Sequence, residues 1–529
     1  MVERDRNKIG KYVIENLTEG MYLESYIIFR EYIQNATDQI DKINSENLFL
    51  EEDLEPLIDI EIDPENRKIV IYDNATGIPK SEVAKKLGNI ADSDKEFGKD
   101  KGFRGIGRLG GLAYCETLRF TTSFKGESQK TIMSWDAKKL SEIINNKDNR
   151  ERAEEILEEI INYEFEDCDE NEHFFQVELI RIKKENKDLL DIKGVRKYIA
   201  ENAPLPYSNK FIFSPKIDEF LKEHNLSKNE YKIYVNGEEQ FKNYTLYLKE
   251  KIKGTVKQYD EIFDIEIEEL RNNKNELLAW MWYGLCRFDK AIPESVNEMK
   301  GIRLRQSNIQ LGNELTLSKF FQESRGNSYF IGEIHAVHKE LKPNGRRDYF
   351  NENNIREEFE EEVKKKFKNL HKFYNQANNL KNAYKKITLF EELEIDFREK
   401  IKNGKFINEE EVLKEKEKLK INEEEKKKAV ATIERFSEQT PKETTIYKVK
   451  NKIEKKYLKE NEELKERDSD ILKETKIYKD PKIYLAQNLS KLDKKQQKLV
   501  TKIFSVIKRE IADERVASEL IKKIEEELR

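Results

Sequence analysis

Apolar and polar residues alternate strictly over Ile58–Ile62 and again over Lys68–Tyr72, and the four residues between these runs, Asp63–Asn66, are turn formers. This period of two predicts a β-hairpin. The other patterns in the first 190 residues predict helices over 10–42, a short helix over Ser81–Leu87, a charged helix over Asp136–Ile161, and strands over Thr117–Ser123, Lys130–Trp135 and Phe174–Ile182.

The helix predicted over Phe29–Asp41 has one apolar side and one polar side. Glu31, Asn35 and Asp38 follow one another at spacings of four and three, so they project from the same side of the helix. A carboxylate, a carboxamide and a second carboxylate on one stripe fit the wall of a small-molecule pocket. A solvated helix face is the alternative, and the stripe taken alone favours that alternative.

Asp73 stands at the end of the second strand of the hairpin, and Gly77 follows in the next turn. An aspartate at a strand end is commonly a turn former or a helix cap, and this is one interpretation. In the other interpretation, Asp73 accepts a hydrogen bond from an exocyclic amine. Gly77 then allows a flat ring to approach the backbone.

A glycine-rich segment extends from Gly102 to Ala113, and five of the chain's 21 glycines lie between Gly102 and Gly111. An apolar helical run follows, so free N–H groups at the start of this run form a site for an anion. A flexible linker is the alternative. The segment is not a phosphate-binding loop with Gly-Lys-Ser/Thr, and no strand directly precedes it as a dinucleotide fingerprint requires.

These three motifs, in this order, resemble the ATP-binding domain of the GHKL superfamily. The superfamily includes gyrase B, heat-shock-90-type chaperones, sensor histidine kinases, MutL and the MORC proteins. The resemblance covers the first third of the chain well, and both Phe29–Asp41 and Leu87–Ala91 are most similar to the chaperone branch. It implies an α+β protein whose N-terminal domain is a GHKL (Bergerat) α/β sandwich.

The resemblance also implies roles for individual residues. Glu31 is then the general base that orients the attacking water, which favours ATP hydrolysis over phosphotransfer to a histidine. Asn35 coordinates the Mg²⁺ that bridges the phosphates, and Asp38 supports the ribose or the pocket wall. Asp73 holds the adenine amine and Gly77 backs the ring. A mobile lid over roughly residues 88–110 wraps the phosphates, with contacts from Gly102, Arg104, Gly105, Ile106 and Gly107.

Two positions depart from the family pattern. Ala75 stands where the family usually has its first glycine after the adenine aspartate. The predicted final strand, Phe174–Ile182, contains no threonine to contact the aspartate and the adenine. Recognition of the phosphates is therefore better supported by the sequence than recognition of the base.

The middle of the chain contains an alternating run, Lys300–Gly312, with three cations at Lys300, Arg303 and Arg305. After a GHKL domain, the resemblance implies a βαβ transducer domain that aims one basic residue at the γ-phosphate. A solvated strand edge is the alternative, because basic residues are common there. The sequence does not distinguish among the three cations.

The last third of the chain is rich in lysine and glutamate with scattered apolar residues, and it raises the charged fraction to 39%, well above the ordinary ~25%. Mixed charges and imperfect heptads predict a helical arm, hairpin or bundle with a dimer contact. The predicted helices are Arg356–Gln376, Glu391–Lys402, Asn408–Phe436, Tyr447–Glu474, Leu492–Glu510 and Asp513–Leu528.

The composition limits the cellular compartment and the partners that we expect for the chain. The three cysteines form no CxxC pair, which argues against a structural zinc site and a disulfide scaffold and favours the cytoplasm. No signal peptide opens the sequence and no long uncharged apolar run is present, so we expect no membrane partner. The net charge of −6 gives no sign of nucleic-acid binding from composition alone.

The predicted domains are an ATP-binding domain over residues 1–185, a transducer domain over 186–350 and a helical, partly coiled-coil region over 351–529. We expect a Mg²⁺-dependent ATPase whose nucleotide state closes a homodimer as a clamp. By analogy with MORC-like proteins, the clamp acts on DNA or in anti-phage defence. The alternative is a chaperone that holds polypeptide clients. A histidine kinase is less favoured, because the position of Glu31 fits the ATPase branch.

Overall fold

The computed structural model describes residues 9–18, 24–46, 48, 55–90, 107–146, 148, 151–403, 405–406, 409–474, 486, 489 and 491–529. Four of the predicted site residues, Gly102, Arg104, Gly105 and Ile106, lie outside the described residues. Gly107 and all other predicted site residues lie within them.

The N-terminal part of the chain is built on an eight-stranded sheet that contains the predicted hairpin, so that prediction is confirmed. Its strands are β1 (Leu57–Asp63), β2 (Lys68–Asp73), β3 (Thr117–Ser123), β4 (Gln129–Asp136), β5 (Ile161–Asp167), β6 (Phe174–Ile180), β7 (Lys232–Val235) and β8 (Glu238–Glu239). The strand order is β5-β4-β3-β6-β2-β1-β7-β8, and only the pair of β1 with β7 is parallel. Alternate residues of β1 and β2 are buried, because successive side chains of a strand point to opposite faces.

Helices cover one face of this sheet and supply its core. They are α1 (Tyr12–Thr18), α2 (Ile27–Glu46), α3 (Lys80–Val83), α4 (Ala137–Asn145), α5 (Ala153–Ile160) and α6 (Ile192–Asn202). The next helix, α7 (Ser214–Glu223), instead contacts Ile265 and Trp280 in the middle of the chain. The apolar side of α2, with Phe29, Ile33 and Ile40, belongs to the same buried cluster as Ile60 of β1 and Ile71 of β2. The amphipathic pattern that predicted this helix therefore places its apolar side in the core.

The prediction of a single charged helix over Asp136–Ile161 is wrong. The side chain of Asp136 accepts a hydrogen bond from the Lys139 N–H (2.8 Å) and caps α4, and α5 is a separate helix. From Ile161 the chain forms β5, an edge strand with mostly exposed side chains. The residues Ile161–Glu166 alternate between apolar and polar, which is the pattern of a strand, and the prediction of a helix did not use this alternation.

A second sheet follows in the middle of the chain, after the hairpin of β9 (Tyr247–Ile252) and β10 (Thr255–Glu261). Its strands are β11 (Asp264–Arg271), β12 (Leu277–Leu285), β13 (Gly301–Gln306), β14 (Ile309–Gln310) and β15 (Ile331–Ala336), in the order β11-β12-β15-β13-β14. β13 and β15 are parallel. The crossover between them contains β14 and two 3-10 turns, at Ser318–Phe320 and Ser324–Tyr329, in place of the α-helix that a βαβ unit would have.

The C-terminal part is helical, as predicted. Its helices are α8 (Asn354–Lys402), α9 (Glu409–Gln439), α10 (Thr445–Glu474), α11 (Lys494–Glu510) and α12 (Glu514–Leu528). The prediction of two separate helices, Arg356–Gln376 and Glu391–Lys402, is wrong, because both segments belong to the single helix α8 of 49 residues. Among the helices that the structure describes, none is both long enough and apolar enough to cross a membrane.

The chain separates into two compact units. The first contains residues 1–285 and 290–369, and the second contains residues 286–289 and 370–529. The N-terminal sheet and the middle sheet thus belong to one unit, and α9 to α12 belong to the other. The domain boundaries expected at residues 185 and 350 stay predictions.

Candidate functional site

The polar stripe of α2 lies at the edge of the N-terminal core. Glu31 and Asp38 are 5% and 6% exposed, whereas Asn35 between them is half-buried. A helix turns once in 3.6 residues, so spacings of four and three bring the three side chains to one face, as the sequence predicts. Two buried carboxylates beside an accessible carboxamide are a polar lining, and the alternative of a solvated helix face does not apply to Glu31 and Asp38.

Gly107 lies directly against the catalytic candidate Glu31. A Cβ atom placed on Gly107 would be 2.2 Å from Oε2 of Glu31 and 3.2 Å from its Cδ. Real Cβ contacts are never that short, so the carboxylate occupies the space that any other residue at this position would fill. The structure thus brings together the first and third sequence motifs at one pair of residues.

Tyr32, the neighbour of Glu31, holds the segment that begins at Gly107. Its hydroxyl donates to the Arg108 carbonyl (3.0 Å) and accepts from the Gly111 N–H (3.1 Å). Arg108 in turn donates from Nε to the Leu87 carbonyl (3.4 Å) and from its terminal nitrogen to the Asn89 carbonyl. These contacts join the chain before residue 91 to the chain after residue 106, on the outer side of the polar stripe.

The second motif lies at the end of β2. Asp73 is 3% exposed, and its Oδ1 accepts a hydrogen bond from the Ala75 N–H (3.1 Å). Gly77 has a positive φ of 66°, and a Cβ there would be 1.8 Å from the Ser123 carbonyl oxygen. Glycine is therefore required both by the backbone conformation and by the close approach of β3.

Sequence reasoning missed a threonine in this region, Thr122, which lies on β3. Its hydroxyl accepts from the Ile78 N–H (2.8 Å) and donates to the Phe174 carbonyl (2.9 Å). It is 1% exposed and ties the turn after Gly77 to the start of β6. A threonine was expected on the final strand, Phe174–Ile182. Thr122 instead lies on the neighbouring strand, which was correctly predicted as Thr117–Ser123.

A second residue missed by sequence reasoning, Arg347, reaches the polar stripe from the middle of the chain. Its Nε lies 3.0 Å from Oε1 of Glu31, and Arg30 lies 3.5 Å from the same oxygen. Arg347 is 12% exposed at its side chain, so this ion pair is shielded from solvent and is stronger than a surface pair. Arg347 lies in a loop, so no helical or strand period distinguished it in the sequence.

The backbone and surroundings of Arg347 fix where its side chain points. Its φ is 55°, and its carbonyl accepts from the Gly312 N–H (3.1 Å). A cleft of about 470 Å³ runs along the same flank of α2 and has Gln34, Asp41 and Arg347 in its lining. Arg347 therefore borders both Glu31 and open space in this cleft.

The three cations expected near the phosphates lie elsewhere. Arg305 is fully buried and donates to the Glu333 carboxylate, the Asn308 carbonyl (3.0 Å) and the Glu201 carbonyl (2.8 Å). Arg303 donates to the side chain of Gln310 (2.9 Å), and Lys300 lies 3.6 Å from Glu294. The structure does not bring any of the three to Glu31, and their proposed role at the phosphate stays a prediction.

Arg305 belongs to a buried polar network centred on Glu333. This carboxylate accepts hydrogen bonds from Tyr207 (2.6 Å), Tyr244 (3.0 Å), Trp282 (3.3 Å), Lys242 (3.0 Å) and His335 (3.0 Å). Burial lowers the pKa of Lys242 to about 8 and that of His335 to about 4, and Glu333 is held ionised with a pKa well below its usual value. So many donors to one carboxylate indicate a structural anchor rather than an accessible site.

The comparison with known families agrees with this geometry. A family model described as histidine kinase-, DNA gyrase B- and HSP90-like ATPase matches residues 25–173. The match includes α2, the turn at Asp73 and Gly77, and the segment that begins at Gly107. This part of the chain is therefore a GHKL-type ATPase domain, as the sequence resemblance predicts.

Curated relatives of the chain are proteins named chaperone protein HtpG. The chain is 29% identical over 136 residues to that of Psychrobacter arcticus and 30% identical over 137 residues to that of Alcanivorax borkumensis. It is 24% identical over 288 residues to that of Buchnera aphidicola, which is 51% of this chain. The alignments span 21%, 22% and 40% of these chaperones, less than half of each.

Proposed function

We propose that the chain binds ATP with Mg²⁺ at the polar stripe of α2 and hydrolyses it. The observation that carries the proposal is the buried carboxylate of Glu31, held between Gly107 of the glycine-rich segment and Arg347 of the middle region. A general base needs such a fixed position beside the groups that bind phosphate. The match of residues 25–173 to an ATPase family model supports the same conclusion.

The proposed roles follow the position of each side chain. Glu31 orients and deprotonates the attacking water, and Asp38 forms the pocket wall. Asn35, half-buried beside two carboxylates, offers the kind of oxygen ligand that Mg²⁺ prefers. The metal would neutralise charge on the phosphates. Asp73 and Gly77 receive the base, and Gly107 approaches the phosphates together with Gly102, Arg104, Gly105 and Ile106.

Arg347 takes the role expected of a cation from the middle region. In the described conformation its guanidinium is paired with Glu31. Phosphate oxygens compete for the same guanidinium, because arginine binds carboxylate and phosphate in the same geometry. On nucleotide binding, Arg347 therefore exchanges partners, and Glu31 is released to act on water.

The activity is tested by isosteric substitution of the two acids. Glu31→Gln is expected to retain ATP binding and to lower turnover about 10²- to 10⁴-fold, the usual contribution of a general base. Asp73→Asn is expected to lose binding, because the single amide oxygen would accept from the Ala75 N–H and the NH2 group would then face the exocyclic amine, donor against donor. Glu46→Gln, at the exposed end of the same helix, is the matched control. Normal turnover in Glu31→Gln would exclude Glu31 as the base.

A separate part of the proposal concerns the conformational change that ATP binding and hydrolysis drive. We propose that nucleotide binding closes two protomers on a macromolecule, and the relatives named as chaperones favour an unfolded polypeptide over DNA. Comparing ATP turnover with a reduced, unfolded protein and with duplex DNA separates the two outputs. Stimulation by DNA alone would instead support the clamp in DNA-associated or defence processes.

A further inference from the structure

The cleft beside α2 is a separate space from the proposed nucleotide site. Its volume of about 470 Å³ is within the roughly 300–1,000 Å³ that small-molecule pockets occupy. It is lined by α2, by α7 and the segment after it, and by the middle sheet, all of which belong to the first compact unit. The residues proposed to hold ATP in the described part of the chain do not line it: Asn35, Asp38, Asp73, Gly77 and Gly107.

One part of the lining is apolar and rigid. Trp280 of β12 and His335 of β15 are cross-strand partners, and their rings stack with centroids 4.1 Å apart and planes 9° apart. A hydrogen bond of 3.0 Å joins Nε2 of His335 to the Glu333 carboxylate and fixes the ring. Three aliphatic side chains from α7 and the segment after it also line the cleft, Ile217, Leu221 and Leu226. Aromatic and aliphatic side chains together suit a flat apolar group.

The polar part of the lining has a fixed backbone. Among the described residues, eleven non-glycine residues have a positive φ, and five of them line this cleft: Asn225, Asn229, Ser307, Asn308 and Arg347. A left-handed backbone is costly away from glycine and persists where surrounding contacts hold it. The Asn308 side chain supplies such contacts, because it donates to the Asn229 carbonyl (2.9 Å) and accepts from Lys242 (2.6 Å). This part of the cleft is therefore preformed, as small-molecule sites usually are.

The lining carries an excess of positive charge. Its charged residues are the cations Lys228, Lys242, Lys339 and Arg347 and the acids Asp41 and Glu230, which gives +2 with histidine neutral, whereas the whole chain carries −6. Lys228 pairs with Glu230 (3.1 Å) and with Asp218 (2.9 Å) outside the lining. The excess therefore lies with the other three cations.

The acids near these cations do not cancel their charge. Lys242 shares the Glu333 carboxylate with Arg305. Arg347 likewise shares the Glu31 carboxylate with Arg30, so each of the two carboxylates meets two cations. Lys339, from the same loop as Arg347, is exposed, and no ion pair in the described part of the chain engages it. An anion in the cleft would gain from this charge.

We propose that the cleft binds a small, flat organic anion such as an aryl carboxylate. Its ring lies against Trp280 and the aliphatic side chains, and its charged group pairs with Lys339 and Arg347. Because a guanidinium binds carboxylates in a fixed geometry, the bound anion competes with Glu31 for Arg347. The binding goes beyond the proposed ATPase activity and does not rest on it.

The first experiment measures binding to the full chain without nucleotide by calorimetry. The probes are indole-3-acetate, which combines a flat ring with one negative charge, and its two halves, indole and acetate. Indole leaves the cations without an anion, and acetate leaves the apolar lining in contact with water. Each half is therefore expected to bind at least tenfold more weakly than indole-3-acetate. Equal affinities of indole-3-acetate and acetate would overturn the proposal.

The second experiment locates the charged group with substitutions at exposed positions, where the fold is spared. Lys339→Glu should weaken indole-3-acetate about fivefold and leave indole unchanged, and Lys251→Glu, at an exposed position of β9 outside the lining, is the matched control. Val337→Asp places a negative charge at a 37% exposed position of the lining and should have the same effect, whereas the neutral Val337→Thr should not. Unchanged affinity in both Lys339→Glu and Val337→Asp would overturn the site.

The third experiment separates the cleft from the nucleotide site and tests the competition for Arg347. Asp73→Asn should bind indole-3-acetate within twofold of the wild type, because Asp73 does not line the cleft. Loss of binding in this variant would place the probe in the nucleotide site and overturn the proposal. Glu31→Gln should bind the probe at least threefold more tightly, because Arg347 then has no charged competitor at that position. An unchanged affinity in Glu31→Gln would overturn the competition.

Discussion

The contact between Gly107 and Glu31 allows one substitution to displace the proposed base without altering it. In Gly107→Ala, the new Cβ would lie 2.2 Å from Oε2 of Glu31, whereas real Cβ atoms keep at least 3.0 Å from such neighbours. The carboxylate must therefore retreat by roughly 1 Å, the difference between these two distances. The atom that moves is the far end of a flexible side chain, so the fold itself is largely spared.

We expect the Gly107→Ala substitution to lower the turnover rate. A displacement of about 1 Å in a catalytic group lowers the rate about 10²-fold. A rotamer shifted by ~30° costs only about 1 kcal/mol, so the free energy of unfolding should change by no more than that. We therefore expect Gly107→Ala to lower kcat about a hundredfold, to keep ATP affinity within a few-fold, and to keep its melting temperature within several degrees.

The assay is steady-state ATP turnover together with nucleotide binding by calorimetry and thermal unfolding. Gly10→Ala is the matched control, because nothing would lie within 4 Å of a Cβ there. A kcat within twofold of the wild type in Gly107→Ala would refute the assignment of Glu31 as the base. Loss of the folded state would refute the inference that the side chain yields before the backbone.

Three further outcomes are expected. Gly77→Ala should lower the free energy of unfolding by on the order of 3 kcal/mol, because its Cβ would lie 1.8 Å from a carbonyl at a positive φ. Thermal unfolding should show a smaller loss, about 1–2 kcal/mol from the backbone conformation alone, in Gly126→Ala, where φ is 92° and nothing lies within 4 Å. Arg347→Ala should lower kcat about 10²-fold or more with ATP affinity changed less than threefold, and Arg347→Lys should recover part of it; equal turnover in Arg347→Ala would exclude the cation from the reaction. The pKa of His335 is lowered from 6.5 to about 4, so the unfolded chain takes up a proton first, and the free energy of unfolding should fall by up to roughly 3 kcal/mol as pH drops from 6.5 to 4. His335→Gln should flatten this part of the denaturation profile, and an unchanged slope would contradict the assignment.

The sequence predicted the parts of the site that are local in the chain. Glu31, Asn35 and Asp38 lie on one face because a helix of known pitch carries them, and Gly77 follows its strand within one turn. Periodicity of this kind needs no knowledge of the remaining fold. The order of the three motifs then indicated the GHKL resemblance, which the family comparison confirms.

The parts that escaped prediction depend on contacts between distant segments. Arg347 reaches Glu31 across 316 positions of sequence, and nothing in its local pattern distinguishes it from other loop cations. Arg303 and Arg305 were candidates because they alternate on a strand. In the structure, however, Arg303 pairs with Glu201 and Gln310, and Arg305 pairs with Glu333. A charged side chain can be buried only where other groups pair with it. The folded structure is needed to identify those groups.

The carboxylate of Glu333 limits how the two sheets of the first unit can move. It fastens Tyr207 and Lys242, from the segments on either side of β7 and β8, to Arg305 of β13, so the middle sheet and the end of the N-terminal sheet form one block. These hydrogen bonds oppose pivoting of one sheet on the other. In the proposed exchange of partners by Arg347, we expect the displacement in its own loop, which ends at Asn354, where α8 begins. In the proposed reaction, the movement is therefore that of one short loop, which leads directly into the first turn of α8.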